Sequence, residues 1–257
     1  SRDRTRAERA AAFAGPAVRP VACADVPGLA GRVLIAVKDE GITPVAEELA
    51  RAGMRRGVAL HTCGARGPDA LAPLRRAGVA CGVLHPLQTV TTPEQGVSNL
   101  TGVTYGVAGD AAAIEWAEEI VALLDGRALR VAPECLSAYH AGAVMASNAL
   151  VAVIDAAVVL MGQAGVERQA ALRALEPLAR ASVDNLFANG PSAALTGPIA
   201  RGDAETVAAH MEALDKAPPT VSALYVAAAR RLIEIARERD LPEASVRALQ
   251  SAIGSGP

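Results

Sequence analysis

This sequence lacks most of what marks a nucleic-acid, membrane or secreted protein. Its 25 lysines and arginines are outnumbered by 27 aspartates and glutamates, so no basic field exists to hold a polyanion. Aromatic residues are scarce, with one Trp, three Tyr and two Phe in 257 positions, and the stacking platforms of single-strand binders are missing with them. The four cysteines, Cys23, Cys63, Cys81 and Cys135, stand far apart with no CxxC pair, and they read as reduced thiols of a cytoplasmic protein. His61 and Cys63 are neighbours, but two ligands make no metal site, and none is expected. The charged start, Ser1-Arg2-Asp3-Arg4-Thr5-Arg6, is not followed by the apolar run of a signal peptide.

Apolar residues are plentiful, at 51%, enough for a core without staples. One stretch, 141–166, approaches membrane length but holds Asp155 near its middle, with Ser147, Asn148 and Gln163 besides. It reads as a buried helix. A helix apolar on almost every side needs cover on most of them, which in a soluble protein often means a second subunit.

The first half alternates β-branched runs with amphipathic segments. Val33-Leu34-Ile35-Ala36-Val37 is a strand, 44–52 a helix with Pro44 in its first turn, Val58-Ala59-Leu60-His61 a strand, 68–77 a helix and 79–84 a strand. That rhythm predicts parallel βαβ crossovers with helices covering the sheet. After the less regular 88–102 come a strand at 103–107, a helix at 110–124 and a last strand at 128–131. Beyond Pro133 only helices follow, at 135–165, 167–188, 204–216, 220–239 and 242–252, broken at Gly190-Pro191, Thr196-Gly197-Pro198 and Pro218-Pro219. The expected fold is therefore α/β: a Rossmann-like parallel-sheet domain over 1–132, then an all-helical domain over 133–257 for substrate binding and dimerisation. Ligands of such sheets lie at the carboxyl ends of the strands.

A dinucleotide domain normally opens with a strand, a glycine-rich turn and a helix, and no GxGxxG occurs anywhere in this chain. Thr5 and Glu8 are instead spaced as a capping box just after Ser1, the pattern that follows the second strand of such a domain. The first strand and glycine turn are thus expected upstream of Ser1, the alternative being a sheet with fewer strands.

Several strings occur together in a familiar order: Leu34-Ile35-Ala36-Val37-Lys38-Asp39, Leu60-His61-Thr62-Cys63-Gly64-Ala65, Leu84-His85-Pro86-Leu87-Gln88-Thr89, Tyr139-His140-Ala141 with Ala146-Ser147-Asn148, and Leu195-Thr196-Gly197-Pro198-Ile199-Ala200-Arg201-Gly202-Asp203. They resemble a bacterial family of Rossmann-like oxidoreductases whose C-terminal half is a helical domain of unknown function, within the 6-phosphogluconate dehydrogenase-like superfamily. The resemblance covers essentially the whole chain and implies an NAD(P)-dependent reductase related to ketopantoate reductase and pyrroline-5-carboxylate reductase, with a helical domain that commonly dimerises. Lys38 stands where family members usually carry proline.

Ser1, Arg2 and Arg4 lie just beyond the expected second strand, where arginines would accept a ribose 2′-phosphate and favour NADP over NAD; the alternative is a solvated charge run. Val37, Lys38, Asp39, His61 and Thr62 end consecutive strands and would line the nicotinamide ribose, or form ordinary turns. His85, made extended by Pro86, lines the same edge. His140 is the candidate proton donor, since reducing a ketone or imine needs an acid beside the developing alkoxide or amine. Ser147 and Asn148, seven and eight residues on, would share its helix face. By resemblance His140 donates the proton, and Asn148 orients the carbonyl. Thr196, Gly197 and Arg201 form a loop fit to hold a substrate carboxylate, although Arg201 would otherwise pair with Asp203, the expected cap of the next helix.

These residues describe an NADP-dependent reductase of a small 2-oxo acid or imine, with 2-dehydropantoate as the sharper version. The rival is a non-catalytic dinucleotide-binding dimer, a sensor or scaffold. Expected partners are a small-molecule substrate and a second copy of the chain, with neither nucleic acid nor membrane.

Overall fold

A computed structural model describes residues 3–254, and the chain divides into two compact units between Ser147 and Asn148. The division falls beyond Pro133, where the composition changes. Leu136 explains this, because it is buried with Val83 and Ala108 of the sheet and holds the chain that follows it to the first unit.

The first unit begins with α1 (Arg4–Ala14), capped by Asp3, whose carboxylate accepts from the Arg6 N–H at 3.2 Å. The Thr5–Glu8 capping box does not form, because the helix starts at Arg4 and Glu8 pairs with Arg4 at 3.0 Å. After α2 (Val26–Leu29) the chain runs β1 (Arg32–Ile35), α3 (Asp39–Arg51), β2 (Val58–His61), a 3-10 turn at Pro68–Leu71 with α4 (Ala72–Arg76), and β3 (Ala80–Pro86). Helix α3 starts earlier than Pro44 suggested. Asp39 and Glu40 suit the positive end of its dipole, and Ile42, Ala46 and Leu49 recur on one buried face.

β1, β2 and β3 pair in parallel, with Leu34 opposite Leu60 and Leu60 opposite Gly82. A short α5 (Pro93–Asn99) then leads to β4 (Thr104–Gly109), which pairs antiparallel to β3. The parallel expectation fails here for a simple reason. The Leu87 N–H bonds the Thr104 carbonyl, so the chain re-enters the sheet at the edge it left and never crosses back over it. Helix α6 (Ala111–Leu123) returns the chain to β5 (Arg127–Arg130), parallel to β4, giving the order β1-β2-β3-β4-β5.

One sheet face buries Ile35, Ala59 and Cys81 against α3 and α4; the other buries Leu60, Leu84 and Val107 against Ala113, Ala117 and Val121 of α6. Each fully buried leucine contributes about 2–3 kcal/mol. Among the described residues nothing pairs with the outer edge of β1, and Leu34 there is 43% exposed.

The unit closes with α7 (Leu136–Ala146). The continuous helix expected over 135–165 breaks at Ser147, where φ is −122° and ψ −75°. The Ser147 hydroxyl donates to the Ala143 carbonyl at 2.7 Å, a back-bond that loosens the turn, and the chain resumes as α8 (Asn148–Gln163).

The second unit holds α8, α9 (Arg168–Ala194, kinked at Gly190), α10 (Gly197–Arg201), α11 (Ala204–Leu214), α12 (Pro219–Arg237) and α13 (Glu243–Ile253). Its core comes from the last four: Ile199, Val207, Ala229, Ile233, Val246 and Leu249. Helix α8 is not the buried helix its composition suggested. Only Val158 in it is buried, while Val151 is 70% exposed. Asp155 is paired within the chain, its carboxylate accepting from Arg168 at 2.9 Å.

Candidate active site

The carboxyl ends of β1, β2 and β3 lie at one edge of the sheet and carry most of the candidates. After β1, Val37, Lys38 and Asp39 are exposed and lead into α3, whose N-terminus no side chain caps. Arg66, from the loop after β2, donates to the Asp39 carbonyl at 2.8 Å and to the Thr43 hydroxyl at 3.4 Å, tying the two strand ends together. Nothing in the sequence pairs Arg66 with Asp39, since the contact depends on strand order.

His61, ending β2, is fully buried and both ring nitrogens are occupied. Nε2 donates to the Gly67 carbonyl at 3.1 Å, and Nδ1 accepts from the Cys63 N–H at 3.2 Å. Burial holds its pKa below the usual histidine value, so it stays neutral. Its imidazole therefore shapes the turn, and only backbone at this position is open to a ligand. Thr62 beside it is half-buried. The Cys63 thiol is pushed up by burial and by the Asp39 carboxylate, and Cys81 to about 11 by burial, so neither is a ready nucleophile.

His85 ends β3 half-buried, and here the structure assembles a cluster. Its Nδ1 lies 2.9 Å from Tyr139 Oη, and its ring centroid is 5.8 Å from that of His140, both partners standing on α7. Two glycines make the room. A Cβ on Gly64 would fall 2.7 Å from His85 Cε1 and Nε2, and one on Gly106 would fall 2.5 Å from Tyr139 Oη. Burial first, then the neighbouring His140, holds His85 below the usual histidine value, while Asp39 opposes both. His140 itself is half-buried. Tyr139 was absent from the sequence-based candidates. Only the antiparallel register, which sets Gly106 opposite His85, shows why it matters.

Ser1 and Arg2 lie outside the described residues, and Arg4 points to solvent beside Glu8, its side chain 92% exposed. Pro86 is half-buried at the end of β3. Ser147 ends α7, which carries His140, and Asn148 begins the other unit. Thr196 is exposed, Gly197 takes a φ of +86°, and Arg201 lies 3.9 Å from Asp203, loosely paired. Asp203 caps α11 as expected, accepting from the Thr206 N–H at 3.0 Å. Among the described residues no group of three or more His, Cys, Asp or Glu side chains is placed to hold a metal.

Known proteins share this fold. A protein from Thermotoga maritima, TM1727, is 22% identical over 94% of this chain and 90% of its own, with a TM-score of 0.72. BF3122 from Bacteroides fragilis, an NADP oxidoreductase candidate, is 18% identical over 82% and 78%, with a TM-score of 0.63. Plasmodium falciparum pyrroline carboxylate reductase, solved with NADP bound, is 11% identical over 92% and 86%, with a TM-score of 0.54. At such identities the likeness is one of fold. No curated protein matches the chain in sequence. The profile of a Rossmann-like domain matches residues 4–86, and that of the domain of unknown function DUF2520 matches 103–232, just over half of the chain. The chain belongs to the DUF2520 family, with a Rossmann-like domain in front.

Proposed function

We propose that this protein is an NADP-dependent oxidoreductase that reduces a small 2-oxo acid or an imine, 2-dehydropantoate being one candidate. The observation that carries the reading is the placement of His140, half-buried and 5.8 Å from His85, at the carboxyl edge of a Rossmann-like sheet. The NADP-bound pyrroline carboxylate reductase of the same fold supports it.

The residues at this edge suit the nicotinamide half of the cofactor. Backbone at Val37, Lys38 and Thr62 surrounds the uncapped start of α3, and Lys38 adds a positive charge. A glycine-rich turn for the pyrophosphate is not among residues 3–254. When bound, the cofactor supplies a hydride to the substrate's carbonyl or imine carbon. His140 gives its proton to the oxygen or nitrogen of that bond as charge develops, leaving an alcohol or amine and a neutral imidazole that solvent reprotonates. In the helical unit, the Thr196–Gly197–Arg201 loop is suited to a substrate carboxylate, which Arg201 would take with its guanidinium fork, and Asn148 offers an amide to orient a carbonyl.

A second copy of the chain covers the apolar surface of α8 and α9. Val151, Leu178 and Phe187 are 70%, 64% and 83% exposed and supply apolar surface for that contact. The test is a fluorescence titration of the full-length protein with NADPH and NADH, followed by a turnover screen over 2-oxo acids and cyclic imines. Tighter binding of NADPH with turnover supports the reading; failure to bind either nucleotide overturns it, and binding without turnover leaves a dinucleotide-binding scaffold.

A further inference from the structure

The loop 62–67, between β2 and the 3-10 turn, is held on three sides. On the inside, the His61 ring spans it, Nε2 donating to the Gly67 carbonyl at 3.1 Å and Nδ1 accepting from the Cys63 N–H at 3.2 Å. On the β3 side, Gly64 lies against His85 so closely that a Cβ there would fall 2.7 Å from ring atoms. On the β1 side, Arg66 reaches out of the loop to α3, donating to the Asp39 carbonyl at 2.8 Å and to the Thr43 hydroxyl at 3.4 Å. We infer that Arg66 is a positioning residue for the cofactor: its guanidinium locks the loop after β2 to the start of α3 and so sets the gap that the nicotinamide half of a dinucleotide enters. The role rests on the reductase reading; the lock is a property of the sheet unit alone.

The lock stands where the sheet stops. The ladder between β1 and β2 ends at Ile35 and His61, and beyond it Arg66 carries the connection. Val37 and Lys38 run straight into Asp39, so a bond at the Asp39 carbonyl steadies the backbone that the cofactor would meet, at a helix start that no side chain caps. A guanidinium is a rigid fork of donors, and here two of its nitrogens take separate acceptors one helical turn apart. The Thr43 hydroxyl spends its own proton on the Ala70 carbonyl at 3.0 Å, which leaves a lone pair for Arg66 and ties α3 to the 3-10 turn as well. Both acceptors of Arg66 are neutral, so the lock depends on the shape of the fork, which a lysine ammonium does not reproduce. Through Gly64 the same loop abuts His85, and a loop held at Arg66 therefore also keeps the cofactor opening in register with the histidine pair.

The test uses the full-length protein with Arg66→Met, which removes the donors, and Arg66→Lys, which keeps the charge and loses the fork. Thermal unfolding establishes that each variant folds. Without cofactor, amide hydrogen exchange at Cys63 and Gly41, one on each side of the lock and both hydrogen-bonded, speeds up about tenfold in the two variants. NADPH followed by fluorescence binds about tenfold more weakly to both, and KM for NADPH rises to match while kcat falls less than about twofold. Thr43→Val weakens binding by a smaller factor, because the bond to the Asp39 carbonyl stays. Unchanged exchange in Arg66→Met would overturn the lock, and NADPH bound as tightly by Arg66→Met as by wild type would overturn the positioning role. Arg66→Lys binding as wild type does would assign the effect to charge and overturn the lock equally. A wild type that binds no dinucleotide, with the exchange response present, would bring down the reductase reading and the positioning role together, leaving the lock as a feature of the fold.

Discussion

The sheet unit and the helical unit solve burial differently. In the first, both faces of the sheet are covered by the chain's own helices, and even a histidine, His61, is fully buried because each ring nitrogen has a backbone partner. In the second, α10 to α13 enclose a core while α8 and α9 leave large side chains in the open. The most apolar helix of the sequence is thus among the most exposed. Hydrophobicity tells that a surface must be covered, not that this chain covers it.

That contrast can be broken by mutation. Leu60→Ala, at a fully buried position of β2, costs about 3 kcal/mol of unfolding free energy in urea, whereas Val151→Ala in the monomer costs less than about 0.5 kcal/mol. Equal losses would mean that α8 is buried within one chain. Val151→Glu leaves the fold intact but raises the dimer dissociation constant at least about a hundredfold, about 2.7 kcal/mol, measured by sedimentation. A wild type that is already monomeric at micromolar concentration contradicts the dimer, and one that sediments only with lipid vesicles points to a membrane as the cover.

Acid distinguishes the units next. His61 is held below its unfolded value of 6.5 by burial, so its contribution to stability is complete above that pH and falls away below it. Unfolding free energy measured at pH 7 and pH 5.5 should drop at up to about 1.4 kcal/mol per pH unit, and less in His61→Gln. The same slope in both proteins would assign the acid sensitivity elsewhere. Last, Asp203→Ala removes the cap of α11 and costs about 1 kcal/mol by thermal unfolding; no change would mean that its bonds to Thr206 are replaced by water.

The sequence revealed the elements better than it revealed their relations. The βαβ rhythm through β3 was legible because parallel strands are continuous apolar runs, and the cap at Asp203 because cap chemistry is local. The reversal at β4 was not, since strand direction depends on where a loop re-enters the sheet. The break at Ser147 rests on one back-bond that hydropathy does not register. For the site, His85 and His140 were legible as histidines at a strand end and a helix start. Their meeting was not, because it needs Gly64 and Gly106 to make space and Tyr139 to fill it.

The central claim is that His140 is the acid of a reductase at this edge. The most direct measurement is the initial rate of NADPH consumption by wild type and His140→Ala across 2-oxo acids and cyclic imines, at NADPH concentrations that saturate both. The account predicts a substrate for which the rate falls at least about a hundredfold in the variant. Equal rates in the two proteins would contradict it.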